Sequence, residues 1–279
     1  MKLALSRDER LFGESVRTAI ADWQPPREPE LGVWLDDRDD ALAGRLAAAG
    51  WGELWEDAAL LGSGVAGGLE LGRAAAPVCL VDEATLGGAL TVSGRARHGT
   101  GARRLAVPRP GGGLGLAEAP SVGEAEPTLD GSGTTRVVEG AVDELPAPEA
   151  EARWGTWTAV TLAYLAGLAA AALERSVEHA RTREQFGAPL AALPAVQARL
   201  ADAALAADGL ELLALASTEH DGLDAPALLW GGDACCEVTT AAHQVHGAIG
   251  FALETGLHVY HRRALSSQSW AAAVCSALR

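Results

Sequence analysis

The sequence predicts an α+β fold in which helical regions flank a short β region, and three observations support this prediction. Apolar residues recur at helical spacing in residues 1–77, short apolar pieces separated by turn residues fill 78–150, and long alanine-rich helical patterns return in 151–279. We therefore expect an N-terminal helical domain, a reduced β domain and a C-terminal four-helix bundle, with those boundaries.

The N-terminal region contains three helical patterns. Ser6 and Glu9 have the spacing of a capping box, which marks a helix start. The second pattern runs through "DDALAGRLAAAG", where Gly50 is the expected stop, and the third covers "GVAGGLELGRAAAP".

In the middle region Gly, Pro, Thr and Val dominate. Its pieces "RRLAVP", "GLGLAEA" and "TTRVVEG" are predicted to be short antiparallel strands. From Trp154 onward four helical patterns follow, and Pro194 suits the first turn of the second. The alanine-rich faces of these helices allow close packing in a bundle.

The composition excludes several classes of function. A formal net charge of −15 argues against non-specific binding of nucleic acid, which needs a basic surface, although a few arginines can still bind an anionic ligand locally. We find no apolar run long enough to span a bilayer and no signal peptide, so a cytoplasmic protein without membrane contact is expected. The four cysteines have no C-x-x-C spacing and are expected to be buried, reduced thiols.

Three short motifs carry little chemistry in their context. "GSGVAG" matches G-x-G-x-x-G, but a dinucleotide site needs a preceding strand, and the residues before it are predicted to be helical. "PGGGLG" is predicted to be a hairpin turn. His243 and His246 could share a helix face, yet no carboxylate or cysteine stands at a metal-ligand spacing beside them, so no metal is expected.

Two segments more than fifty residues apart carry a stronger signal. "RTREQFGAPL" ends the first long bundle helix, and "QVHGAIGF" ends the third. Each places a polar or cationic group beside a glycine at a helix end. Glycine lets the backbone approach a ligand closely, and the planar guanidinium of Arg183 suits a pyrophosphate.

In this order, and within a bundle, the two segments resemble the C-terminal domain of acyl-CoA dehydrogenases. The family pattern is R-x-x-F-G followed by a helix that ends in Q-x-x-G-G-x-G-(F/Y), and here it occupies residues 183–187 and 244–251. "AVQARLAD" and "YHRRAL" resemble other parts of that domain. "GWGELW" and "LELGRAAAP" resemble the family's N-terminal helical domain.

The resemblance implies an FAD shared at a subunit interface. In that family these two segments hold the adenosine and pyrophosphate part of a flavin that is seated in the neighbouring subunit. The residues that it assigns to this role here are Arg183, Gln185, Phe186, Gln244, Gly247 and Ala248. Arg183 would contact the pyrophosphate, and the last three would approach the adenosine. Because Ala248 replaces the family's second glycine, a less close approach is expected there.

Two features that the family uses at the flavin ring are missing. The T-E-x-x-(A/G)-G-S-D and W-(I/L)-T-N stretches are not found in residues 78–150. The family's catalytic carboxylate, counted along the two bundle helices that can carry it, falls on Trp270-Ala271-Ala272 or on Trp157. Neither alanine nor tryptophan can accept a proton from the α-carbon, so no residue of this chain is expected to be the base.

These observations lead to one main hypothesis and two alternatives. The main one is a subunit of a heteromeric acyl-CoA dehydrogenase that acts on an acyl-CoA, such as a steroid side-chain ester. It would pair with a longer, similar subunit that carries the base. The first alternative is a self-sufficient homodimer with a relocated base, such as Glu174 or an acid of the middle region. The second is a scaffold subunit without flavin.

Overall fold

The computed structural model describes residues 3–24, 39–97, 102–118, 122–128, 133–137 and 141–279. Within these ranges the helices are α1 (Arg7–Ala19), α2 (Asp40–Ala48), α3 (Leu61–Arg73), α4 (Cys79–Leu86), α5 (Ala147–Thr182), α6 (Pro194–Ala216), α7 (Ala225–His246) and α8 (Leu257–Ala277). The strands are β1 (Ala89–Val92), β2 (Arg95–Arg97), β3 (Arg104–Arg109), β4 (Gly113–Glu118), β5 (Val122–Pro127), β6 (Gly133–Val137), β7 (Asp143–Glu144), β8 (Glu184–Gln185) and β9 (Ala188–Pro189).

The predicted helix-start and helix-stop signals of the N-terminal region are confirmed. Ser6 caps α1 in a full capping box, in which the Ser6 N–H donates to Glu9 Oε2 at 2.7 Å and the Glu9 N–H donates to Ser6 Oγ at 3.3 Å. Gly50, two residues beyond the end of α2, has a φ of +88°, as expected of a glycine that ends a helix. "GSGVAG" lies inside α3, so it is not the loop of a dinucleotide fold.

The middle region holds a seven-stranded sheet with the order β5-β6-β2-β1-β3-β4-β7. Its neighbouring strands are antiparallel, as predicted, except for β1 and β3, which run parallel. Strand β3 pairs with the edge of β1 that β2 leaves free, and it runs in the same direction as β1. The sequence analysis also missed α4, which precedes the sheet, and the start of α5 at Ala147, upstream of Trp154. Pro148 and Glu149 suit the first turn of that helix.

The predicted four-helix bundle is confirmed, with α5 at its centre. This helix packs against α6, α7 and α8 in the bundle and against α3 on the N-terminal side. The contact between α3 and α5 is close because glycines face each other. A Cβ on Gly72 would lie 2.0 Å from the carbonyl oxygen of Tyr164, and one on Gly167 would lie 2.1 Å from that of Leu69.

Among the described residues, α5 is the one helix that is long and apolar enough to cross a membrane, with a mean hydropathy of 1.5 over its most apolar window. The expectation that no apolar run reaches this length is therefore wrong for α5. However, 83% of that window is buried inside the fold. Burial of this extent is also typical of the core helix of a bundle.

The four cysteines are free thiols, as predicted, and three of them are buried. Only Cys236 is partly exposed. Burial raises the pKa of its thiol to about 11, so the reactive thiolate is scarce at neutral pH.

Candidate functional site

The segment after α5 forms a tight hairpin. Helix α5 ends at Thr182, and β8 and β9 then pair through a two-residue turn at Phe186 and Gly187. Both turn residues have positive φ values, +56° and +81°, as a two-residue type I′ turn requires. A phenylalanine with positive φ is unusual, which is why the sequence did not indicate the hairpin.

The segment after α7 turns sharply at glycine. Helix α7 ends at His246, and Gly247, with a φ of +64°, opens a short 3-10 helix that runs to Phe251. A Cβ on Gly247 would meet nothing within 4 Å, so its backbone is open to a ligand. In contrast, Gly250 is buried, and a Cβ there would lie 2.8 Å from His246 Cβ. The first glycine is free for binding and the second is required for packing.

These two segments meet at one groove, which has a volume of about 530 Å³. Five of the six residues predicted to bind the cofactor line it: Arg183, Gln185, Gln244, Gly247 and Ala248. We call this the tail groove. The sixth, Phe186, lies at the tip of the hairpin with 89% of its surface exposed. Contrary to the prediction, it does not line the groove within this chain.

Cationic side chains line the tail groove of this acidic chain. Among the described residues, the guanidinium groups of Arg183 and Arg199 have no hydrogen-bond or ion-pair partner. The sequence analysis did not single out Arg199, which reaches the groove because α6 packs beside the end of α5. Two unpaired guanidiniums next to an open glycine backbone are suited to an anionic ligand such as a pyrophosphate.

A pair of stacked histidines forms one wall of the tail groove. The rings of His179 and His246 are parallel within 19°, with their centroids 4.3 Å apart. Partial burial, followed by the nearby His246 and Arg183, lowers the pKa of His179. At neutral pH His179 is therefore uncharged, and it gives the groove a flat, neutral surface beside the arginines.

His243 and His246 have separate partners and do not form a metal site together. The His243 ring is buried, bonds to the backbone of α7 through Nδ1 and packs against His261 and Phe251. His246 stacks on His179 instead. Among the described residues no group of three His, Cys, Asp or Glu side chains has a geometry that could hold a metal.

Trp157 and Trp270, the first residue of the segment Trp270-Ala271-Ala272, lie against one buried ion pair. Trp157 Nε1 donates to Asp82 Oδ1 at 2.9 Å, and the guanidinium of Arg97 binds both oxygens of Asp82 at 2.8 and 2.7 Å. The same guanidinium lies 5.4 Å from the ring centroid of Trp270. The sequence analysis missed Asp82 and Arg97, because nothing local marks an acid in α4 and an arginine in β2 as partners.

Glu174 is paired and exposed. Its carboxylate bonds to Arg73 Nη1 at 2.6 Å, and 62% of its side chain is accessible.

Comparison with known proteins identifies the fold and the bundle. Residues 156–271 match the family model described as the acyl-CoA dehydrogenase C-terminal domain. The chain is 38% identical over 110 residues to cyclohex-1-ene-1-carbonyl-CoA dehydrogenase of Syntrophus aciditrophicus and 34% identical over 105 residues to the bovine mitochondrial short-chain specific acyl-CoA dehydrogenase. These matches cover 37% and 35% of this chain and only 27% and 26% of the relatives.

Solved structures match along almost the whole chain. The Tcur3481-Tcur3483 steroid ACAD, solved as a variant, has a TM-score of 0.78 at 21% identity, with 99% of this chain and 97% of that one covered. The ChsE4-ChsE5 complex from Mycobacterium tuberculosis has a TM-score of 0.75 at 20% identity, with 99% and 96% covered. Butyryl-CoA dehydrogenase from Megasphaera elsdenii has a TM-score of 0.76 at 17% identity, with 96% and 95% covered.

The helices, the sheet and the bundle thus form the acyl-CoA dehydrogenase fold, as predicted. Residues 156–271 match the model of the acyl-CoA dehydrogenase C-terminal domain. Both segments that line the tail groove lie within this matched range. The family model therefore covers the residues on which the resemblance in the sequence was based.

Among the described residues, those of the tail groove fit one part of an FAD, and those at the expected positions of the base do not fit the other. The tail groove offers unpaired guanidiniums and an open glycine backbone, which suit the adenosine and pyrophosphate. The expected positions of the base hold only tryptophan and alanine, and the Asp82 carboxylate beside Trp157 is closed off by Arg97. In the part of the chain that the structure describes, the features that suit an FAD are those of the tail groove.

Proposed function

We propose that this chain is a subunit of a heteromeric, FAD-dependent acyl-CoA dehydrogenase. It provides the tail groove for the adenosine and pyrophosphate of an FAD whose ring is seated in a longer, similar partner chain. The observation that carries this proposal is the cluster of Arg183 and Arg199 beside the open backbone of Gly247. A cationic groove on a chain with a net charge of −15 needs a specific anionic ligand to explain it.

In the complex, this chain's residues bind and orient. Arg183 and Arg199 would hold the negative charges of the pyrophosphate, Gly247 and Ala248 would bring the backbone against the nucleotide, and the His179–His246 stack would support it. The bound cofactor would supply the acceptor for the hydride that leaves the β-carbon of the acyl-CoA. The partner supplies the carboxylate that removes the α-proton.

We also propose the class of substrate and the kind of partner. The substrate is an acyl-CoA thioester, and a steroid side-chain ester is the specific candidate. The name of one matched structure, a steroid ACAD, supports this candidate, and the paired chains named in the two heteromeric matches support a partner of the same fold. The reaction is desaturation between Cα and Cβ, performed in the cytoplasm.

Two alternatives make different predictions. A self-sufficient homodimer needs a relocated base, for which the sequence suggested Glu174 or an acid of the middle region. Glu174 is bound to Arg73 on the surface, and Asp82 in the middle region is buried against Arg97. A scaffold without flavin would keep the bundle but would have no use for the arginines of the groove. Substitution of Arg183 distinguishes the scaffold from the main proposal.

Arg183→Ala is expected to weaken FAD binding in the assembled complex about 10- to 100-fold. The variant loses a charge-assisted hydrogen bond to a phosphate, which contributes about 1.5–3 kcal/mol. The measurement is the dissociation constant of FAD, obtained by titrating flavin into the deflavinated complex. Arg181→Ala is the matched control, since Arg181 is an exposed arginine in the last turn of α5 that does not line the groove. Equal FAD affinity in both variants would favour the scaffold.

A further inference from the structure

The two expected positions of the base, which are distant in sequence, converge at one place in the fold. Trp157 in α5 and the segment Trp270-Ala271-Ala272 in α8 were each located by counting from a different motif. In the structure both contact the same ion pair, Trp157 through a hydrogen bond to Asp82 and Trp270 through the face of its ring against Arg97. Both candidate positions of the base therefore lie beside the Asp82–Arg97 ion pair.

The side chains at this place are closely packed and their polar groups are paired. Asp82, Arg97 and Trp157 each expose 1% of their surface or less. Asp82 accepts three hydrogen bonds, two from Arg97 and one from Trp157. The ring of Trp154 packs edge-on against that of Trp157, with 5.6 Å between their centroids. A carboxylate with its oxygens bound in this way offers no open approach to a C–H bond of a substrate.

The cluster joins the middle region to the bundle. Asp82 comes from α4, Arg97 from β2, Trp157 from α5 and Trp270 from α8. None of the four lines the tail groove. The tail groove and this cluster are therefore separate features, one cationic and open, the other neutralised and closed.

We infer that Asp82, Arg97, Trp157 and Trp270 form a plug that fills the position of the flavin ring and the thioester in this chain. The inference rests on the proposed function, because the resemblance supplies the position of the base. The plug holds the β region against the helices, and neither flavin nor acyl-CoA contacts it. Among the described residues, the chain then has a site for the tail of one flavin and no site for the head of a second.

Conservative substitutions in the plug test this inference in the complex of this chain with its longer partner. Trp157→Phe and Trp270→Phe are expected to change neither the FAD content nor kcat/KM by more than about twofold, since no ligand touches either indole. Trp157→Ala is expected to raise the unfolding equilibrium constant on the order of a hundredfold, because it leaves a large cavity. Its FAD content per folded complex should still equal that of the wild type.

A tenfold loss of FAD or of kcat/KM in either Phe variant, with the thermal midpoint unchanged, would overturn the plug. That result would mean that the indole contacts flavin or substrate. A failure of the proposed function looks different. In that case Arg183→Ala leaves FAD affinity unchanged, whatever the plug variants do.

Discussion

Replacement of Asp82 by alanine is expected to lower the free energy of unfolding by about 3–5 kcal/mol. The substitution leaves the guanidinium of Arg97, which exposes only 1% of its side chain, without its counter-ion inside the fold. It also removes the acceptor of the Trp157 indole N–H. An uncompensated buried charge costs far more than the net gain of the ion pair itself. Urea unfolding followed by far-UV circular dichroism measures the effect.

Two controls separate burial from charge in this experiment. The double variant Asp82→Ala/Arg97→Met is expected to recover most of the lost stability, because an apolar pair carries no unpaired charge. Glu126→Ala is the second control, because it removes the ion-pair partner of Arg95, which lies in β2 as Arg97 does. The Arg95–Glu126 pair is about half exposed, so the urea midpoint should barely move. If Asp82→Ala were as mild as Glu126→Ala, the Asp82–Arg97 pair would not be buried as described.

Gly72→Ala is expected to cost about 3 kcal/mol or more, because the new Cβ meets backbone that cannot rotate away. It would lie 2.0 Å from the carbonyl oxygen and 2.8 Å from the carbonyl carbon of Tyr164. Relief requires that α3 and α5 move apart, which opens gaps along the whole contact between the N-terminal helices and the bundle. Differential scanning calorimetry of the purified chain measures the loss.

Gly44→Ala is the matched control for this glycine. It lies in the interior of α2, where a Cβ would meet nothing within 4 Å. Here alanine should stabilise the chain by ~0.5–1 kcal/mol, because it reduces the freedom of the unfolded chain and favours the helix. The geometry therefore predicts that the change in the free energy of unfolding has opposite signs in the two Gly→Ala variants. Similar small effects at both would contradict the close contact at Gly72.

Local sequence signals correctly predicted the features whose structure depends on residues adjacent in the sequence. The capping box at Ser6 and the stop at Gly50 were predicted correctly, since each needs only a few adjacent residues. The short strands and bundle helices followed from apolar periodicity. The parallel pairing of β1 with β3 could not be predicted in this way, because it depends on where the chain returns after the β1–β2 hairpin.

The same distinction holds for the candidate site: residues within the two motifs were predicted, and residues brought there by tertiary packing were not. The two motif segments predicted five lining residues of the tail groove. This was possible because each motif is a short run of neighbouring residues, one around Arg183 and one at the end of α7. Arg199 was missed because its position depends on how α6 packs. The Asp82–Arg97 pair was missed for the same reason, since the two residues come from a helix and a strand that meet only in the fold.

The central claim is that this chain holds the tail of an FAD whose head belongs to a partner. The most direct test is to purify the tagged chain alone and after co-expression with a longer acyl-CoA dehydrogenase-like chain from the same genome, and to measure released FAD per chain in each preparation. We predict little FAD in the lone chain, and a stable complex that carries one FAD for each longer chain. A lone chain that retains one FAD per subunit and desaturates acyl-CoA at full rate would contradict the account.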